Sequence, residues 1–570
     1  MQQSQKLTDR SLAPSVSLSS LIHIVNTGDT SQSPEGSSYK AELSMLLPFL
    51  SGNSSVDVYV TGGTYTSGTT TFTNNTGGTF TVSGFTTGTT TPYKFDTNNS
   101  GIEPVLGTNS ASGGYSVIGG GIQNSASGGY SVIGGGIQNA ASGYYSIING
   151  GIQNAASGYY SIINGGYANT TSAYYSHSII GGGMVNTNLV GDSTIIGGGN
   201  SNITNGCFSS ILGGISNIVN KYSSIGGGSG STALGCFSVI GGGKGNFTVS
   251  CGSTIGGGVN NRSLGNYSIV GGGCGNLVTG HGSTISGGYG NSTHTIHATI
   301  GGGFNNCASG LTSTIGGGCS NMSSGNTSTI SGGFCNIAGG IYSTIAGGSS
   351  NIACGLRSTV GGGCGNIACS TGTIVSGGYT NTASGTYSSV GGGVSNFATS
   401  TRAIVGGGGN NCASGSYSVA GGGRCNCATN SYSVAGGGIR NTSSAYFSVI
   451  GGGFQNTTSC IGGSILGGSA NTVTNTGSTI GGGYANTGSG AYSFIGGGRC
   501  NIASACGSSI LGGTGNTVSH CFSSAMGYNV TSVMSAATHV NQLVIQNIPT
   551  SAAGLPSGAI WSNGGILTIV

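Results

Sequence analysis

The sequence predicts an all-β fold, a parallel β-solenoid of about 29 fifteen-residue coils. Three observations predict it. Asparagine recurs every fifteen residues, without a miss from Asn246 through Asn261, Asn276, Asn291, Asn306, Asn321, Asn336 and Asn351 to Asn516. Gly-Gly follows eleven and twelve residues after each asparagine, as at Gly257-Gly258 and Gly272-Gly273. Nine residues after it stands an aliphatic residue or alanine: Ile255, Val270, Ile285, Ile300, Ile315, Ile330. Fifteen residues cannot bury a core alone, but they form one coil whose apolar side the neighbouring coils cover.

Composition agrees. Gly accounts for 123 of 570 residues and charged residues for 4%, where a globular domain carries about a quarter. Disorder is opposed by the phased apolar column, the 25 Tyr and the low count of 7 Pro. Collagen is excluded because Gly has no three-residue period. The last acidic residue is Asp192; beyond it stand only cations, Lys221, Lys244, Arg262, Arg357, Arg402, Arg424, Arg440 and Arg499. That region therefore lacks carboxylate pairs for acid–base chemistry and carboxylate ligands for calcium.

Taken in order, residues 1–56 are the least repetitive and read as an N-terminal attachment segment. Within it LIHIV (21–25) reads as a buried strand and AELSMLLPFL (41–50) as a short helix or strand. Residues 57–105 alternate β-branched and aromatic residues with Gly and Asn, the pattern of short strands and turns. Residues 106–531 carry the repeat. Its phase slips between Asn169 and Ser231, in steps of seventeen, sixteen, fifteen and fourteen, and the irregular steps are expected to project as bulges or loops. At about 4.8 Å per coil the whole is expected to be a rod of roughly 140 Å. Residues 532–570 abandon the period, contain the single Trp561, and read as a β cap for the open end. No apolar signal core opens the chain and no stretch of eighteen apolar residues follows, so no membrane insertion is expected.

Within a coil such as NSASGGYSVIGGGI (109–122), Tyr115 to Ile118 reads as the strand. Alternation sends Ser116 and Ile118 inward, with Tyr115 and Val117 outward. Ala111 reads as a small inward residue in a turn. The outward face carries Val117, Val132, Ile147, Ile162, Thr254 and Ile269, so it is expected to be covered, most simply by another copy of the chain. The asparagines read as a ladder at a turn that tolerates a left-handed conformation.

The units YSVIGGGIQNSASG and YSSVGGGVSNFATS resemble the head repeats of YadA-like trimeric adhesins. The resemblance covers residues 109–531 and implies a left-handed parallel β-roll with three chains intertwined or side by side. The chain departs from that family in its glycine triplet and in lacking a coiled-coil stalk and membrane barrel. The segments LIHIVNTGDTSQSPEGSSYK, DVYVTGGTYTSGTTTFTNNTGGTFTVSGF and LVIQNIPTSAAGLPSGAIWSNGGILTIV resemble those of virus and phage tail-fibre proteins.

Several cysteines fall one repeat apart: Cys236 with Cys251, Cys354 with Cys369, Cys412 with Cys427, and Cys506 with Cys521. Stacked coils place such pairs within disulfide reach, and small apolar filler is the other reading. The column Tyr115, Tyr130, Tyr145, Tyr160 reads as edge packing or as a strip for sugar rings. His294 and His297 read as exposed polar residues or as a metal site shared by three chains. The expected function is non-enzymatic and without cofactor: a homotrimeric virion fibre, docked through its N-terminal segment and touching host glycans or a receptor. No nucleic-acid partner is expected. An extracellular bacterial adhesin or appendage subunit is the alternative, and an ice-binding solenoid with a Thr array a remote one.

Overall fold

The computed structural model describes residues 21–26, 37–42, 60–66, 69–74, 79–83, 93–95, 101–105, 108–172, 177–544, 546–563 and 565–569. No helix occurs among them, and the repeats form a parallel β-solenoid of about 29 turns. The chain divides into two compact units, residues 1–201 and 202–570.

In the first unit, β1 (Leu21–Asn26) pairs antiparallel with β2 (Ser37–Glu42). The expected element at 41–50 contributes only its first two residues to β2; residues 43–50 lie outside the described residues. Strands β3 (Val60–Thr66), β4 (Thr69–Asn74) and β5 (Thr79–Ser83) form an antiparallel meander, as Thr alternating with Tyr, Phe and Val favours. Strands β6 (Tyr93–Phe95) and β7 (Ile102–Pro104) pair antiparallel, and β7 then leads into the parallel stack beside β8 (Val117–Ile118). Glu103 of β7 is buried at this entrance. It meets Lys94 at 2.7 Å and accepts the Ala111 N–H at 2.6 Å.

In the second unit one coil stands for the rest. Thr314–Ile315 pairs parallel with Thr299–Ile300 before it and Thr329–Ile330 after it. A second two-residue strand, Cys307–Ala308, lies between Ser292–Thr293 and Met322–Ser323. Cys319 bridges Phe304 and Phe334 along a third line. Asn306, Ala308, Ser313 and Ile315 point inward, each 0% exposed. Corners between these lines need left-handed residues, here Thr312 (φ 52°), Gly318 (φ 90°) and Ser320 (φ 55°).

This coil corrects the expected one in two ways. The strand at Tyr115 to Ile118 is only Val117–Ile118, because Tyr115 sits at a corner with φ 61°. The segment around Ala111, taken for a turn, becomes a second parallel ladder from Ser125–Ala126 onward, with Ala126 fully buried. The left-handed residue near each asparagine is the one before it, such as Gln123 (φ 58°), rather than the asparagine itself.

In the coil that begins at Asn186 the second strand lengthens to Thr187–Val190, leaving Leu189 43% and Val190 62% exposed. The seventeen-residue step includes residues 173–176, which lie outside the described residues. Across the fourteen-residue step the ladder continues, Ser231 N–H donating to Asn217 Oδ1 at 3.0 Å, as Asn186 N–H does to Asn169 Oδ1 at 2.9 Å across the seventeen-residue step. At the C-terminal end Thr538–Val540 adds to Ser524–Tyr528 in parallel. Ile560–Asn563 and Ile566–Ile569 form an antiparallel hairpin; Trp561 is half-buried there and Ile566 72% exposed.

Candidate functional surface

The asparagines form the structural spine. Asn246, Asn261, Asn276, Asn291, Asn306, Asn321, Asn336 and Asn351 are at most 1% exposed. Each Oδ1 accepts the backbone N–H of the next asparagine, at 3.0 Å from Asn261 to Asn246 and 2.9 Å from Asn306 to Asn291. Each amide group donates to two glycine carbonyls, Gly317 at 3.0 Å and Gly333 at 2.9 Å in the case of Asn321. The side chain thus joins its own turn to the next coil. Beside this spine the column Ile255, Val270, Ile285, Ile300, Ile315 and Ile330 is fully buried.

The outer columns differ in chemistry. Tyr115, Tyr130, Tyr145 and Tyr160 stack on one another at 4.9–5.0 Å, and Tyr417 stacks on Tyr432 at 5.0 Å. Stacked rings cover each other's faces, so a sugar ring laid on a face is left only the ends of each stack. The cations join these aromatics. Arg402 lies between Tyr387 and Tyr417, at 5.9 and 5.2 Å from their ring centres. Arg262 lies over Phe247, Arg357 over Tyr342 and Arg499 over Tyr484, at 5.5, 5.9 and 5.6 Å. Sequence reasoning missed these cation–π pairs, although their spacing of one repeat was a readable signal.

Of the stacked cysteines, Cys354 and Cys369 are disulfide-bonded, with Cα atoms 4.5 Å apart. Cys412 and Cys427 are register partners with free thiols. Burial first, and then the neighbouring Cys412 and Cys425 thiols, push the Cys427 thiol up. Cys236, Cys251, Cys506 and Cys521 are also free thiols. His294 approaches Thr279 at 3.5 Å, while His297 makes an edge contact with His281 at 5.8 Å. No group of three potential metal ligands occurs among the described residues.

An open groove in the first unit is lined by Thr108, Ser110, Gln123, Gln138 and Gln153. Its glutamines bond to each other in series at 3.0 Å, so their amides serve the stack. The fold defines a class, the parallel β-solenoid repeat proteins. Compared with known proteins, the chain matches no protein-family model and no curated protein.

Proposed function

We propose that this chain is a structural fibre or spike protein of a virion: a non-enzymatic homotrimer that projects a repeat scaffold toward a host surface. The observation that carries the reading is the buried asparagine column, which repeats one bonding pattern from coil to coil. Such uniformity suits a spacer, in which each repeat depends on its nearest neighbours. The surface beyond Asp192 has cations and no carboxylate, which favours attraction to an anionic host glycan. Specific docking needs a non-repetitive part, and residues 1–105 supply one, with Asp9, Asp29, Glu35, Glu42, Asp57, Asp96 and Glu103. The adhesin-like repeat motif favours a second reading, an extracellular bacterial adhesin or appendage subunit.

The test is peptide mass spectrometry on purified virions and on sheared cell-surface fibres. The proposal predicts the chain in virions, and its loss from them when residues 1–56 are removed. Recovery only in cell-surface fibres contradicts it and leaves the second reading.

A further inference from the structure

Many ladder asparagines also open the sequence Asn-x-Ser/Thr, the acceptor signal for N-linked glycans. Asn246, Asn261, Asn291, Asn321, Asn441 and Asn456 do so, and so do Asn169 and Asn202, eight rungs in all. Transfer joins the asparagine Nδ2 to C1 of an oligosaccharide carried on a lipid diphosphate. The N–C1 bond forms, the C1–O bond breaks, and the lipid diphosphate leaves with the electron pair while the amide gives up one proton. The product amide keeps a single hydrogen.

The coil uses both. Asn246 Nδ2 donates to the Gly242 and Gly258 carbonyls at 2.8 and 2.9 Å, and Asn441 Nδ2 to those of Gly437 and Gly453 at 2.7 and 2.9 Å. Both side chains are 0% exposed, so a sugar on Nδ2 has no volume to enter. A glycan on one rung removes a hydrogen bond and holds two coils apart, and each coil depends on its neighbours. The corner residues Asn266 and Asn326 also open the signal but are exposed. Their Oδ1 atoms accept the Cys251 and Leu311 N–H groups at 3.1 Å, and their amide nitrogens donate to no described residue.

Nothing in the coil asks for the signal. Its third residue points inward, where Ala308, Ala338, Ala353 and Ala368 stand in other coils at 0% exposure. The Thr248 and Thr293 hydroxyls at that place are buried without a hydrogen-bond partner among the described residues, which costs stability rather than adding it. Alanine would serve the coil and erase the signal. Synthesis also leaves each rung open for a time. Asn246 needs the Gly258 carbonyl, and its Oδ1 needs the Asn261 N–H, before it is satisfied. Two coils take roughly 2–6 s to emerge at about 5–20 residues per second. A transferase acting on the emerging chain meets each rung unfolded.

We propose that this chain closes its coils in a compartment without N-linked glycosyl transfer, and that a secretory route would turn its ladder asparagines into folding blocks. Asn266 and Asn326 are the contrasting places, where a glycan breaks no rung. The proposal concerns where the coils form and stands apart from the fibre reading.

The experiment expresses the full chain in cultured animal cells, once in the cytosol and once behind a cleavable secretory signal. Glycopeptide mass spectrometry reads each rung and limited proteolysis reads the closed coils. The expected result is a protease-resistant chain in the cytosol and a retained, protease-sensitive chain glycosylated on its rungs in the secretory route. Blocking synthesis of the lipid-linked donor should restore a resistant, secreted chain. Alanine at the third place of all eight rungs, Thr248→Ala and Ser263→Ala among them, should do the same. A secreted, resistant wild type overturns the proposal, whether its rungs carry glycans or not. A secretory chain that stays sensitive with the donor blocked overturns it as well, since glycans are then not the obstacle. So does a protease-sensitive cytosolic chain, whose coils fail to close without any transfer. Should the alanine variant fail to fold in the cytosol, the donor block on the wild type decides.

Discussion

The backbone N–H of Asn336 donates to Oδ1 of Asn321 at 3.0 Å, one coil before it. The Asn336 amide donates to Gly332 and Gly348 carbonyls at 3.0 and 2.9 Å, and its Oδ1 accepts the Asn351 N–H at 3.0 Å. One side chain therefore satisfies buried backbone groups in its own coil and the next, while its N–H is held by the coil before. Removing it leaves an orphan donor and deprives two carbonyls.

Asn336→Ala should accordingly cost on the order of 3 kcal/mol locally. Because coils depend on their neighbours, the loss should spread to the coils on either side. Hydrogen exchange followed by mass spectrometry checks this. Faster exchange in peptides covering residues 321–366 is expected, and unchanged exchange there would show the ladder is dispensable.

Ile315→Asp puts an unpaired charge in a column that is 0% exposed and has no cation to meet it. Thr312→Asp changes an exposed corner residue at φ 52°, where Asp is tolerated. A drop of many degrees in thermal melting is expected for the first and little change for the second. Equal melting shifts would mean that the inward and outward faces are misassigned.

The buried serines separate into two kinds. Ser343 has a buried hydroxyl without a hydrogen-bond partner among the described residues. Ser328 donates to the Gly325 carbonyl at 2.6 Å and contacts the Ser323 hydroxyl at 2.6 Å. Ser343→Ala should be neutral or stabilising, whereas Ser328→Ala should cost about 1 kcal/mol. Urea unfolding of the two variants side by side gives the comparison, and the opposite ranking contradicts it.

Reduction of Cys354–Cys369 opens a cross-link of fifteen-residue separation, worth about 3 kcal/mol in the chain-entropy account. A lower melting temperature with reductant is expected, and Cys369→Ser should abolish the difference. Among the free thiols, the raised pKa of Cys427 leaves less thiolate near neutrality, while Cys506 and Cys521 are exposed. At about pH 8 iodoacetamide should label Cys506 and Cys521 before Cys427. The lag should close only as pH rises past the Cys427 pKa. Equal labelling rates at about pH 8 would contradict the burial.

The sequence displayed the columns whose residue type is demanded by an inward position: Asn306 by its four-way bonding, Ile315 by burial and Gly318 by its left-handed backbone. It hid the features set by stacking alone. The corner residue before each inward serine is Tyr342 in one coil and Arg357 in the next, types that rarely adopt φ near 55°. They are held there because Tyr342 N–H reaches the Asn326 carbonyl at 2.9 Å and Arg357 N–H the Ile341 carbonyl at 2.8 Å. The second ladder was hidden for a related reason. Cys307–Ala308 is only two residues long and its outward residue varies freely, so alternation has no length over which to show.

Light scattering on the purified full-length chain is the measurement closest to the centre of this account. A fibre built from three copies should weigh about 165 kDa, three times the 55.0 kDa chain. A stable species of 55.0 kDa would contradict it, leaving a single-chain solenoid.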